Sequence, residues 1–114
     1  MNPININNIV TNREFLVENE KFKTLFFKFE DGKGLPNHSH NGFATIQVVS
    51  GTVDIEFKNG EKFELKEGDF LPFDARIEHN VISKGTSKVL VTISQSLSWI
   101  FNINLDKEPV LKLI

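Results

Sequence analysis

The first 94 positions of this chain fall into short strand-like runs, the clearest of which alternate apolar and polar residues with period two. Thr52 to Lys58 is the clearest case. Val53, Ile55 and Phe57 fall on one face, and Asp54, Glu56 and Lys58 on the other. Asn59-Gly60 follows at once, and Glu61 to Leu65 alternates again through Phe63 and Leu65. An Asn-Gly pair between two alternating runs predicts a tight hairpin, because both central residues of the favoured turn need positive φ. Further strands are predicted over residues 21–29, Phe43 to Val49, Phe70 to Phe73, Val81-Ile82 and Lys88 to Ile93. Lys66-Glu67-Gly68-Asp69 and Lys84-Gly85 are predicted turns. No long stretch before residue 94 carries a helical period. Short strands with turn signals every 8–12 residues or so point to an all-β sandwich or barrel.

Composition narrows what such a barrel does. The chain of 114 residues fits one domain, 1–114, with a barrel core over about 20–94 and a tail over 95–114. Thirteen Lys and Arg against fifteen Asp and Glu leave a net charge of −2. That balance offers no basic footprint for nucleic acid and no bias toward an acidic membrane. Cysteine is absent, which excludes disulfides, thiol catalysis and thiolate metal sites. No run approaches the ~18 apolar residues of a membrane span, and the N-terminus lacks the pattern of a secretory signal. A cytoplasmic protein is expected. The tail is apolar in patches, at Leu97, Trp99, Ile100, Phe101 and again from Val110. It reads as a helix, a last strand or an arm exchanged with a partner, and Trp99 as an anchor of that tail or a cap on the barrel mouth.

Chemistry concentrates on the only three histidines, His38, His40 and His79. Residues two apart on a strand share a face, so His38 and His40 are expected to reach one point. His79 follows a strand and a turn, which allows it to arrive from a neighbouring strand. Neutral imidazole is the commonest protein ligand for Zn, Fe, Ni or Cu. Taken alone, a His-x-His pair is equally well two exposed histidines.

The surroundings of these histidines resemble the two motifs of the cupin family. Gly32, five residues, His38, one, His40, three, Ala44, six and Gly51 follow the first motif, Gly, His-x-His, Glu, Gly. Gly68, five residues, Asp74, one, Arg76, two, His79, three and Ser83 follow the second, Gly, Pro, Gly, His, Asn. The resemblance covers roughly residues 20–94. It implies an all-β cupin jelly-roll barrel with a metal inside, and it carries the ligand roles onto His38, His40 and His79. The implied cofactor is a divalent transition metal, Fe, Ni, Mn or Zn. Small cupins form homodimers, so a second copy is the expected partner beside a small-molecule ligand or substrate.

The departures bear on function. Ala44 stands at the glutamate position and cannot ligate; Asp74, Arg76 and Ser83 replace Pro, Gly and Asn. Strand parity turns Ala44, Ile46 and Val48 inward and Thr45 and Gln47 outward, so Gln47 is no substitute ligand. The expected pocket lining is Phe43, Ala44, Ile46, Val48, Phe73 and Arg76. Phe26 or Phe27, Val53, Ile55 and Phe70 are expected in the packed core, because side chains fill a barrel of this size. Asp74 and Arg76 form either an ion pair closing a turn or a carboxylate-binding arginine. The first functional reading is a metal-binding small cupin, dioxygenase- or isomerase-like on a small substrate. The alternative is a non-enzymatic small-molecule-binding or sensory barrel, with or without metal, and the loss of the carboxylate at Ala44 favours it.

Overall fold

The computed structural model describes residues 1–95. After a single 3-10 turn at Ile6–Asn8 come seven strands: β1 Arg13–Glu18, β2 Phe22–Phe29, β3 Gly34–His38, β4 Phe43–Phe57, β5 Lys62–Lys66, β6 Phe70–Asp74 and β7 His79–Ser94. All pairings are antiparallel. The strand order is β1-β2-β7-β4-β5, with β3 also on β7 and β6 also on β4. No helix among the described residues is long and apolar enough to cross a membrane.

Two long strands organise the barrel. The first half of β4, Ala44 to Val48, pairs with Val89 to Ile93, and its second half, Thr52 to Phe57, pairs with His79 to Lys84. The β1-β2 hairpin and β6 extend one half, and β3 and β5 the other. The result is an all-β jelly roll of two sheet halves sharing two strands. The sequence predicts separate strands at Phe43–Val49 and 52–58, and again at Val81–Ile82 and Lys88–Ile93. The structure joins each pair into one bent strand, and the turn expected at Lys84-Gly85 is a bend inside β7.

Gly51 makes the bend in β4 possible. Its φ is +83°, and a Cβ there would stand 2.8 Å from the Ser87 Cα while striking the Thr86 carbonyl. Glycine alone adopts this conformation at that spacing without strain. The register slips on either side of Ser50. This bulge switches the inward parity of β4 from Ala44, Ile46 and Val48 to Val53, Ile55 and Phe57, all buried. Without the slip, half of the strand would turn its apolar set to solvent.

The hairpin forms at Asn59-Gly60, with Val53 and Ile55 opposite Leu65 and Phe63, but Gly60 N–H donates to the Phe57 carbonyl at 2.9 Å, so Lys58 and Asn59 are the central pair of the turn and Gly60, at φ +100°, follows them. The core is one cluster, built from Leu25, Phe27 and Phe29 of β2, both inward sets of β4 except Ala44, Leu65, and Val81, Val89 and Val91 of β7. Each such side chain, fully buried, contributes about 1.5–3 kcal/mol. Ser83 and Ser87 are buried polar exceptions, and their hydroxyls bond each other at 2.6 Å. Ser83 also reaches the Gly85 carbonyl at 2.6 Å. Burial of these hydroxyls is therefore compensated.

Candidate functional site

One end of the barrel carries a cavity of about 140 Å³. Leu35, Ala44, Ile46, Phe73, Ala75, Val81, Val91 and Ile93 form its apolar wall, and His38, Ser39, His40 and His79 its polar part. Strand parity explains most of the wall. Ala44 and Ile46 are inward positions of β4, and Val81, Val91 and Ile93 are inward positions of β7.

His38 and His79 are cross-strand partners in the β3–β7 pairing. Their ring centroids lie 4.4 Å apart at 60°. The His79 side chain is buried, with Phe73 edge-on at 5.0 Å and Phe57 tilted at 5.7 Å. Burial against these rings pushes its pKa below the usual 6.5. The bond to the Ile77 carbonyl opposes that shift, and proximity to His38 adds to it. His79 is accordingly neutral at pH 7.

The backbone sets the tautomers. The Nδ1 of His79 lies 2.8 Å from the Ile77 carbonyl oxygen, and the Nδ1 of His38 lies 2.7 Å from the Pro36 carbonyl oxygen. A carbonyl only accepts, so each Nδ1 carries the ring proton and each neutral ring keeps its lone pair at Nε2.

His40 departs from the expectation. β3 ends at His38, and the chain bends through Ser39 to Gly42, so His38 and His40 do not share a strand face. The bend is tied down by His40 N–H donating to the Ala75 carbonyl at 2.8 Å and Ala75 N–H donating to the Gly42 carbonyl at 3.0 Å. The ring of His40 points its Nε2 at the Ser94 carbonyl, 2.6 Å away, and donates there. The Ser94 hydroxyl accepts from Phe43 N–H at 3.0 Å, which closes the bend onto the end of β7.

These positions decide how well the residues suit a metal. A resident ion needs about three or four donors converging on one point. Among the described residues no three His, Asp or Glu side chains form such a group. His38 and His79 offer two Nε2 atoms, His40 has its Nε2 engaged with Ser94, and Ala44 has no donor atom. As arranged, the residues do not fit a three-histidine centre.

Three expected lining residues stand elsewhere. Phe43 is an outward position of β4, 58% exposed on the outer face. Arg76 lies over its ring at 5.1 Å and forms a forked pair with Asp74, Nε to Oδ1 at 2.9 Å and a terminal nitrogen to Oδ2 at 2.8 Å. That guanidinium holds the Asp74 carboxyl down at about 2. The pair closes the turn after β6 and turns Arg76 away from the cavity. Val48 points inward but is packed in the core, away from the cavity wall. Ala44, Ile46 and Phe73 do line it. Sequence reasoning missed Leu35, Ser39, Ala75, Val81, Val91 and Ile93. Alternation within Lys88 to Ile93 carried the signal for Val91 and Ile93. Trp99 and the tail from residue 96 lie outside the described residues.

Comparison with known proteins agrees with this architecture. The pattern of the Cupin domain family matches residues 25–94. An RmlC-like cupin protein from Desulfovibrio desulfuricans is similar at 30% identity, with a TM-score of 0.74 over 82% of this chain and 96% of its own. A cupin superfamily protein from Desulfitobacterium hafniense is 23% identical, with a TM-score of 0.69 over 74% of this chain and 76% of its own. An RmlC-like cupin from Shewanella frigidimarina is 18% identical, with a TM-score of 0.67 over 81% of this chain and 85% of its own. The last two establish likeness of fold alone. No protein of curated function matches. With the family pattern matched over residues 25–94 on a jelly roll of this topology, the chain belongs to the cupin family.

Proposed function

We propose that this cupin is a small-molecule-binding barrel whose ligand enters the cavity behind His38 and His79. The observation that carries the reading is the cavity itself, about 140 Å³, apolar on most of its wall and with His38 and His79 on its polar side. An apolar cavity of roughly 150 Å³ accommodates a benzene-sized molecule. A few polar groups on an otherwise apolar wall are the usual composition of a ligand site. The test is a fragment screen of the full chain by NMR, following the methyl groups of Ile46, Val81 and Val91. Fragments that shift these methyls, and stop doing so in Ala44→Leu, support the reading. A screen in which none shifts them overturns it.

A second reading, metal binding, draws support from the two Nε2 atoms of His38 and His79. A divalent ion would be held by these two and, once released from Ser94, by His40. The ion would supply Lewis acidity, and a dioxygenase- or isomerase-like activity belongs to this reading only. Elemental analysis of untagged protein before and after EDTA, on wild type and His79→Ala, separates the two. A stoichiometric metal lost in the variant favours the second reading, and a metal-free protein that also ignores added Fe, Ni, Mn and Zn favours the first. Pairing of two copies is part of either proposal and is read from the mass in solution.

A further inference from the structure

Resting on the ligand-binding reading above, we infer that the cavity selects a neutral, hydroxyl-bearing ligand of about benzene size, a phenol rather than a hydrocarbon or a carboxylate. Three features of the wall carry this.

The first is the direction of the hydrogen bonds. The ring protons of His38 and His79 are committed to the carbonyls of Pro36 and Ile77, at 2.7 and 2.8 Å. Each residue bonds the carbonyl two positions before it, so the same local geometry fixes both rings. What each neutral ring has left is an acceptor at Nε2. Among the described residues no protein group is recorded as donating to either Nε2. A ligand that fits must therefore bring a donor. A hydroxyl group does so; a hydrocarbon does not, and it would leave a polar nitrogen facing apolar surface, which is unfavourable.

The second is charge. Neither lysine nor arginine lines the cavity, and Arg76 is held outside by Asp74. A carboxylate entering the cavity would find no fixed positive charge on its wall. Apart from His38 and His79, the polar side chains of the wall are the Ser39 hydroxyl at the exposed rim and His40, whose Nε2–H is already given to the Ser94 carbonyl. Neither supplies a fixed cation to balance an anion.

The third is size and shape. About 140 Å³ bounded by Leu35, Ile46, Phe73 and Val91 holds one six-membered ring with a small substituent. The hydroxyl of such a ring, placed at the histidine end, leaves the ring itself against the apolar wall.

The experiment compares phenol, toluene and benzoate, three molecules sharing one ring, by calorimetric titration of the full chain. Phenol is expected to bind about fivefold or more tightly than toluene, the effect of one net hydrogen bond, with benzoate weakest. In His79→Phe, with only the His38 acceptor left, the preference for phenol over toluene should fall while toluene still binds, which also certifies that the variant is folded. His38→Phe, at the exposed rim, serves the same comparison if His79→Phe does not fold. Equal binding of phenol and toluene to wild type overturns the hydroxyl selection and leaves a plain apolar cavity. Tighter binding of benzoate also overturns it, in favour of an anion site. Failure of all three to bind overturns the inference together with the ligand-binding reading on which it rests.

Discussion

His38 and His79 face each other across β3 and β7, so that two imidazoles separated by forty residues of chain touch over 4.4 Å. The pair is asymmetric. His38 is exposed at the rim, and His79 is buried among Phe57 and Phe73. That asymmetry places His79 where burial opposes its protonation.

His79 should make the fold sensitive to pH. Its pKa in the folded protein lies below the usual 6.5, chiefly through burial. The unfolded chain therefore binds the proton more readily. Stability is fully present above about 6.5 and falls as pH drops from there through the lowered folded value. Thermal melting between pH 7.5 and 5 should decline in wild type and decline less in His79→Phe. Equal slopes would assign the acid sensitivity to another group.

Ala44 should be a site where binding and stability part. Ala44→Leu adds three carbons toward the cavity. Each buried methylene contributes up to about 0.8 kcal/mol, so the variant should melt no lower than wild type, or higher. Ligand titration should show binding abolished. A variant that melts several degrees lower would mean that the wall does not yield and the side chain is overpacked.

Arg76 should be silent in ligand binding. Its guanidinium is engaged with Asp74 outside the cavity. Arg76→Ala should leave ligand titrations unchanged and lower the melting temperature only slightly, since exposed ion pairs contribute little. A clear loss of affinity would return Arg76 to the binding site.

Gly51 should be far less replaceable than Gly60, although both sit at positive φ. Gly51→Ala places a side chain in a left-handed backbone, at roughly 1–2 kcal/mol, and against the backbone of Thr86 and Ser87, at a further ~1–3 kcal/mol. Gly60→Ala carries only the backbone cost, because no atom lies within 4 Å of the added carbon. Urea midpoints of the two variants should differ accordingly. Similar midpoints would show that β7 moves aside at little cost.

The strand pattern made much of this fold legible. Val53, Ile55 and Phe57 announced their face by alternation, and Asn59-Gly60 announced the hairpin. The continuity of β4 and β7 was not legible, because Gly51 and Lys84-Gly85 carry ordinary turn signals. Only pairing between distant segments shows that the chain bends there without ending a strand. β1 was missed because Arg13 to Glu18 sits at the sheet edge and buries little, so its alternation is weak. At the site, the sequence placed Ala44, Ile46, Phe73 and the histidines on one wall. It could not reveal that His40 leaves the strand face, because that depends on bonds to Ala75 and Ser94 far along the chain. Phe43 was misplaced for a related reason. Nearness to the histidine motif suggested the pocket lining, whereas its parity, opposite to that of Ala44, sends it outside.

Both long strands run through both halves of the barrel, and this bears on how the molecule comes apart. Neither half owns a complete set of backbone partners. Opening the end that holds His79 removes partners from Thr52 to Phe57, and those residues are continuous with the wall at Ala44 and Ile46. The barrel should therefore lose its structure in a single step, with the slowest amide exchange of Val48 and Val81 rising together. A ligand bound only at the histidine end would then protect amides at the opposite end, around Ser83 and Ser87, which it never touches.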